Sequence, residues 1–119
     1  MADTRTEGDT LTAVSNSIAS LLHECYGRGP ESVKSYFVDD YLLVVMRGGL
    51  TTVEKTLLGA GRGELVREVR QAFQAQMAES LKGRVAEITG RDVVGYQSQT
   101  ILDPVTLLEF FILEPDDRE

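Results

Sequence analysis

The strongest constraint on the fold is the stretch ELVREVRQAFQAQMAESLKGRVAEIT, residues 64–89, followed at once by Gly90. Leu65, Val66, Val69, Phe73, Met77, Leu81, Val85 and Ile88 recur at three- and four-residue spacing, which places them on one stripe of a helix. A continuous helix over that span is about 39 Å long. Arg67, Glu68, Arg70, Glu79, Lys82 and Arg84 fall on the other face and read as solvent-facing. Gly83 weakens the middle by about 1 kcal/mol relative to alanine. Gly90 supplies the left-handed residue that ends many helices. A one-sided helix of this length needs an apolar surface to cover, and the rest of the chain must provide it.

Two pairs of β-rich segments do so. SVKSYFV and YLLVVMR, separated by Asp39 and Asp40, predict a hairpin over residues 32–47. DVVGYQSQT and VTLLEFFIL predict a second, joined near ILDP. Residues 42–46 are apolar on both faces. They read as a central strand, covered on one side by helices and on the other by helices or a partner subunit.

Two further helices complete the pattern. In TLTAVSNSIASLLHECYG, Leu11, Val14, Ile18, Leu21, Leu22 and Cys25 form an apolar stripe, with Asp9 or Thr10 as the expected N-cap and Gly27 as the stop. Thr51 and Glu54 have the spacing of a capping box for a short helix. Leu50 with Leu57 or Leu58 would hold it to the sheet, and Gly59, Gly61 and Gly63 break it. The order helix, hairpin, short helix, long helix, hairpin predicts a single α+β domain: a four-stranded, mostly antiparallel sheet with helices packed on one face. Residues 1–9 read as a flexible N-terminus, 10–113 as the domain and 114–119 as an acidic tail.

Charge narrows the function classes. A chain of 119 residues with net charge -7 lacks the basic footprint that nucleic acid or an anionic membrane surface requires. No segment is long and apolar enough to span a bilayer, and the polar, acidic start is not a signal peptide. A single cysteine, Cys25, fits a reducing compartment, so a cytoplasmic location is expected.

Candidate chemistry is sparse. His23 and Cys25 lie two residues apart on a helix and point to different faces, which suits neither a metal site nor a nucleophile–base pair. GAGRGE follows a helix and lacks the lysine and hydroxyl of a phosphate loop. No acid, base and nucleophile converge, so no catalytic residue, metal ligand or cofactor is expected. The GRGP corner differs, because three constrained residues surround one charge. Gly27 can cap the helix, Gly29 permits close backbone approach and Pro30 stiffens the exit. Arg28 would then be exposed beside Lys34. Gly27, Arg28, Gly29, Pro30 and Lys34 form the candidate binding set, for a small anion such as a carboxylate, phosphate or bicarbonate, or for an acidic partner.

In order, GRGP at residues 27–30, L-T-x-x-E at Leu50, Thr51 and Glu54, V-R-x-x-R-x-x-F ending in Arg70 and Phe73, and Thr89-Gly90 resemble the MpsC family over residues 10–113. Thr51, Glu54, Arg70 and Gly90 are the structural elements of that resemblance. It implies association with membrane bioenergetics, with bicarbonate or cation transport as the context, and it transfers no catalytic residue. A chain without a spanning segment cannot form a pathway itself. The expectation is a non-enzymatic accessory or regulatory protein of a membrane transport protein. The alternative is a small-ligand sensor. A homodimer is expected, through a sheet face or edge rich in Phe110, Phe111 and Ile112.

Overall fold

The computed structural model describes residues 6–115. Helix α1 spans Glu7–Tyr26, β1 Ser32–Val38, β2 Tyr41–Arg47, α2 Thr52–Gly59, α3 Gly63–Thr89, β3 Val93–Leu102 and β4 Val105–Leu113. Every strand pairing is antiparallel, and the sheet order is β1-β2-β4-β3. The second hairpin therefore docks β4 on β2, leaving β1 and β3 at the edges. Both hairpins close in two residues. Asp39 takes the first turn at φ 53, a left-handed value that aspartate tolerates, and Asp103-Pro104 make the second.

The expected element order and α+β class hold, with three corrections at α1. The helix starts three residues before the expected boundary, so residues 7–9 belong to its first turn, and residues 1–5 lie outside the described residues. Thr6, not Asp9 or Thr10, is the N-cap: its hydroxyl accepts from the Asp9 N–H at 3.0 Å while Asp9 reaches back to the Thr6 N–H. Asp9 is the far half of a capping box, which serves the helix better than a lone cap. Cys25, expected on the apolar stripe, is exposed.

One side of the sheet is covered. Val14, Ile18 and Leu22 of α1 and Met77, Leu81 and Val85 of α3 pack on Leu42, Val44 and Met46 of β2 and on Leu107, Phe111 and Leu113 of β4. A smaller cluster of Leu50, Val66 and Leu102, with Leu57 and Leu58 against it, fixes α2 beneath the start of α3.

The other side is open. Alternation puts Leu43 and Val45 of β2, with Leu108 and Phe110 of β4, on that face; Tyr41 stacks on Phe110 at 5.7 Å between ring centroids. Tyr36, Val38 and Ile112 are exposed there. Among the residues the register places on this face none is acidic, and Lys34 and Arg47 are its charges.

Candidate functional site at the junction of the helices

Gly27 ends α1 at φ 76, its N–H donating to the His23 carbonyl at 2.8 Å. The chain then turns so that Pro30 lies against Gly49, in the loop between β2 and α2. A Cβ on Gly49, which sits at φ 89, would come 3.1 Å from the Pro30 Cα. Glycine is required there for both reasons. The GRGP corner thus acts as a buttress that positions the Gly49 carbonyl.

That carbonyl accepts from Arg70 Nη2 at 2.9 Å. Arg70, expected on the solvent face of α3, is 1% exposed. Its Nε and Nη2 donate to the two carboxylate oxygens of Glu54, each at 2.7 Å, in a bidentate pair. The Tyr26 ring covers the guanidinium 3.9 Å away, the separation of a cation–π contact. Glu54 also closes the expected capping box, accepting from the Thr51 N–H at 2.8 Å while its own N–H donates to the Thr51 hydroxyl at 3.2 Å. Burial alone would raise the Glu54 carboxyl, but the hydrogen bonds from Arg70 and Thr51 outweigh it and hold the group below its ordinary value.

A second polar branch runs from Tyr26 into the sheet. Gln74 Nε2 donates to the Tyr26 hydroxyl at 3.3 Å, and the Tyr96 hydroxyl donates to Gln74 Oε1 at 3.2 Å. Tyr96 also meets Glu109, and the Ser98 hydroxyl donates to the other Glu109 oxygen at 3.0 Å. Glu109 is fully buried. Burial raises its carboxyl to about 7, against the hydrogen bonds of Tyr96 and Ser98 and the charge of Arg70. Burial and the Glu109 charge push the Tyr96 hydroxyl up as well.

Donor counting fixes the direction of this chain. Tyr96 has one hydroxyl proton and two acceptors in reach. When Glu109 is protonated it donates to Tyr96, Tyr96 donates to Gln74 and Gln74 donates to Tyr26. Each group is then satisfied. When Glu109 is ionised, Tyr96 must turn to the carboxylate, and Gln74 loses its donor.

Outside the ion pair lies a cleft of about 240 Å³ between the end of α1, α2 and the start of α3. Tyr26, Thr51 and Glu54 contribute to its lining, together with Val53, Val69 and Phe73. Val69 and Phe73 were expected in the core, yet Phe73 is 43% exposed and rests on Tyr26 at 5.1 Å between centroids. The physical reason is a swap of lines on α3. Its buried residues are Val66, Arg70, Gln74, Met77, Leu81 and Val85, so Arg70 and Gln74 hold the positions that apolar side chains would otherwise take.

Thr51, Glu54 and Arg70 are therefore brought together, with Gly27, Gly29 and Pro30 behind them. Gly90 is separate: it caps the far end of α3 at φ 72. Arg28 and Lys34 are both exposed, and no contact among the described residues joins them. Residue reading missed Tyr26, Gln74, Tyr96, Ser98 and Glu109. The signal for Gln74 is in the sequence, because residues 66, 70, 74, 77 and 81 are themselves helically spaced. No group of three or more histidine, cysteine, aspartate or glutamate side chains among the described residues could hold a metal ion.

The family model described as "Na+-translocating membrane potential-generating system (MpsC)" matches residues 6–115. The chain belongs to the MpsC family. The match begins at the Thr6 cap of α1 and so takes in the first turn that residue reading excluded. The chain is also 28% identical over 95 residues to an uncharacterized protein, YbcI, of Bacillus subtilis (strain 168), covering 79% of this chain and 77% of that one. No solved structure matches. Within this MpsC chain no helix of the described residues is long and apolar enough to cross a membrane.

Proposed function

We propose that this MpsC-family chain is a non-enzymatic, cytoplasmic accessory protein of a membrane cation or bicarbonate transport system, and that it works by binding a partner polypeptide in the cleft between α1, α2 and α3. The family's description supplies the membrane context. The observation that carries the reading is convergence: Cys25 and Tyr26 at the end of α1, the Thr51–Glu54 cap, and Val69 with Phe73 of α3, far apart in sequence, meet at one cleft. Phe73, Val69 and Val53 leave apolar surface uncovered there, over a buried ion pair that fixes the walls. A volume of about 240 Å³ accommodates one or two apolar side chains of an amphipathic helix. Arg28, just beyond Tyr26 and without an ion-pair partner among the described residues, offers a charged contact for an acidic residue beside it; Lys34, on the open sheet face, belongs to a different surface.

The test is affinity capture from detergent-solubilised membranes with the tagged chain. The parent is expected to retain an integral membrane protein and Phe73→Glu to lose it, with circular dichroism unchanged. Equal retention by both, or retention of no membrane protein by the parent, overturns the reading. The alternative, a small-ligand sensor, draws on the same enclosed cleft. It predicts that a small molecule (bicarbonate, a carboxylate or a nucleotide) raises the melting temperature, and that Arg28→Ala or Phe73→Glu removes the rise.

A further inference from the structure

The edge strand β3 is the least protected part of the sheet. It spans Val93–Leu102, ten residues without a charge or a proline, and it bonds only to β4. Its outer row of N–H and C=O groups is a template for another strand. The opposite edge, β1, is seven residues long and carries Lys34 near its middle, one of the devices by which sheets discourage pairing. Along β3 the edge is also roomy. A groove of about 340 Å³ runs between Gln71, Gln74 and Ala75 of α3 and residues 96–100 of the strand.

At the centre of that segment Gln97-Ser98-Gln99 is symmetric about Ser98. In YQSQT, an antiparallel pairing of two copies centred on Ser98 sets Gln97 opposite Gln99 twice and Tyr96 opposite Thr100 twice. A two-fold interface needs such self-complementarity, since each residue meets the same surface from which it comes. Charges on the strand would be the obstacle, and β3 has none; Arg67 of α3, paired with Glu64, is the one charged side chain lining the groove. Seven residues from each copy, 95–101, would form about six to eight interstrand hydrogen bonds.

We propose that β3 is a homodimer interface, in which two copies pair antiparallel about Ser98 and join their sheets into one of eight strands. The second copy's Thr100 then lies beside Tyr96, one of the residues that line the groove. The amide side chains of Gln97 and Gln99 meet across the junction on the open side. This interface is separate from the α1–α2–α3 cleft, so the two readings stand or fall independently.

Sedimentation equilibrium of the full chain tests the proposal, with Q97K/Q99K and Q97E/Q99E as variants. The parent is expected to be a dimer. Each double variant places like charges opposite each other and is expected to be monomeric, while an equimolar mixture of the two restores a heterodimer. Val45→Lys, on the open face away from the edge, and Phe73→Glu, at the cleft, should both remain dimeric. Amides of residues 95–101 should exchange more slowly in the parent dimer than in the lysine variant. A monomeric parent, a dimeric Q97K/Q99K, or a mixture that stays monomeric overturns the proposal.

Discussion

At the scale of single residues, Glu109 has the largest leverage on how the protein responds to pH. It lies in β4, fully buried, at the end of a hydrogen-bond chain that is complete only when it carries a proton. Its carboxyl binds that proton up to about pH 7 in the folded chain, against an ordinary value of 4.5. Between those values the unfolded chain has released the proton while the folded one keeps it. Stability from this group is therefore full below pH 4.5, falls as pH rises and levels off above pH 7. The loss amounts to about 3 kcal/mol at 1.36 kcal/mol per unit. Glu54 works in the opposite sense. Its depressed carboxyl contributes stability above its ordinary value, lost as pH falls through the folded one. The expected profile rises from strong acid and then declines toward neutrality. Glu109→Gln, which copies the protonated shape, should abolish the decline and exceed the parent in stability at pH 8. Urea titrations at several pH values measure both; a decline that survives in Glu109→Gln excludes this group as its source.

At the scale of elements, the Glu54–Arg70 pair staples α2 to α3. Otherwise α2 is held through Leu57 and Leu58, which pack on the small cluster of Leu50, Val66 and Leu102. Removing one member strands a buried charge, which costs about 3–5 kcal/mol, whereas replacing both with apolar groups of similar volume is often tolerated. Glu54→Ala should thus lower stability by about that amount, and Glu54→Leu with Arg70→Met should recover most of it. A double-mutant cycle on chemical denaturation decides; additive effects would mean that the two side chains act separately. The same pair marks the limit of what was legible in the sequence. Glycine, proline and the Thr51–Glu54 cap announced the helix stops, the turns and the start of α2 because their effects are local, and the element order followed, though the start of α1 was placed three residues late. Arg70 was misplaced because an arginine on an amphipathic helix is usually exposed. Its burial depends on Glu54, Gly49 and Tyr26, three partners from three other segments. Tyr96 and Glu109 were invisible for the same reason: their register across β3 and β4 is a long-range fact.

At the scale of the molecule, the two faces of the sheet differ, and β2 lies between them. Val44 faces the helices and is fully buried, while its neighbour Val45 faces the open side, opposite Leu108 on β4 and Lys34 on β1. The two residues share a type, a strand and a central position, so a charge at each isolates the effect of side. Val44→Lys forces an ammonium into the core with no counter-charge and should leave the chain unfolded or reduce its stability by several kcal/mol. Val45→Lys should change stability little, because its headgroup reaches water along an apolar surface that its stem still covers. Thermal melts of the two variants check this. If Val45→Lys unfolds the protein as Val44→Lys does, the open face is already covered in the folded protein. Pairing at β3 would leave that face open and double its extent, joining two apolar four-stranded patches across a seam of Gln97 and Gln99 amides into one surface whose charges are the Lys34 and Arg47 side chains of each copy. An acid-free surface on a chain of net charge -7 is oriented by the rest of the molecule. It would approach a basic or neutral protein surface against its own local cations, and an acidic one with them.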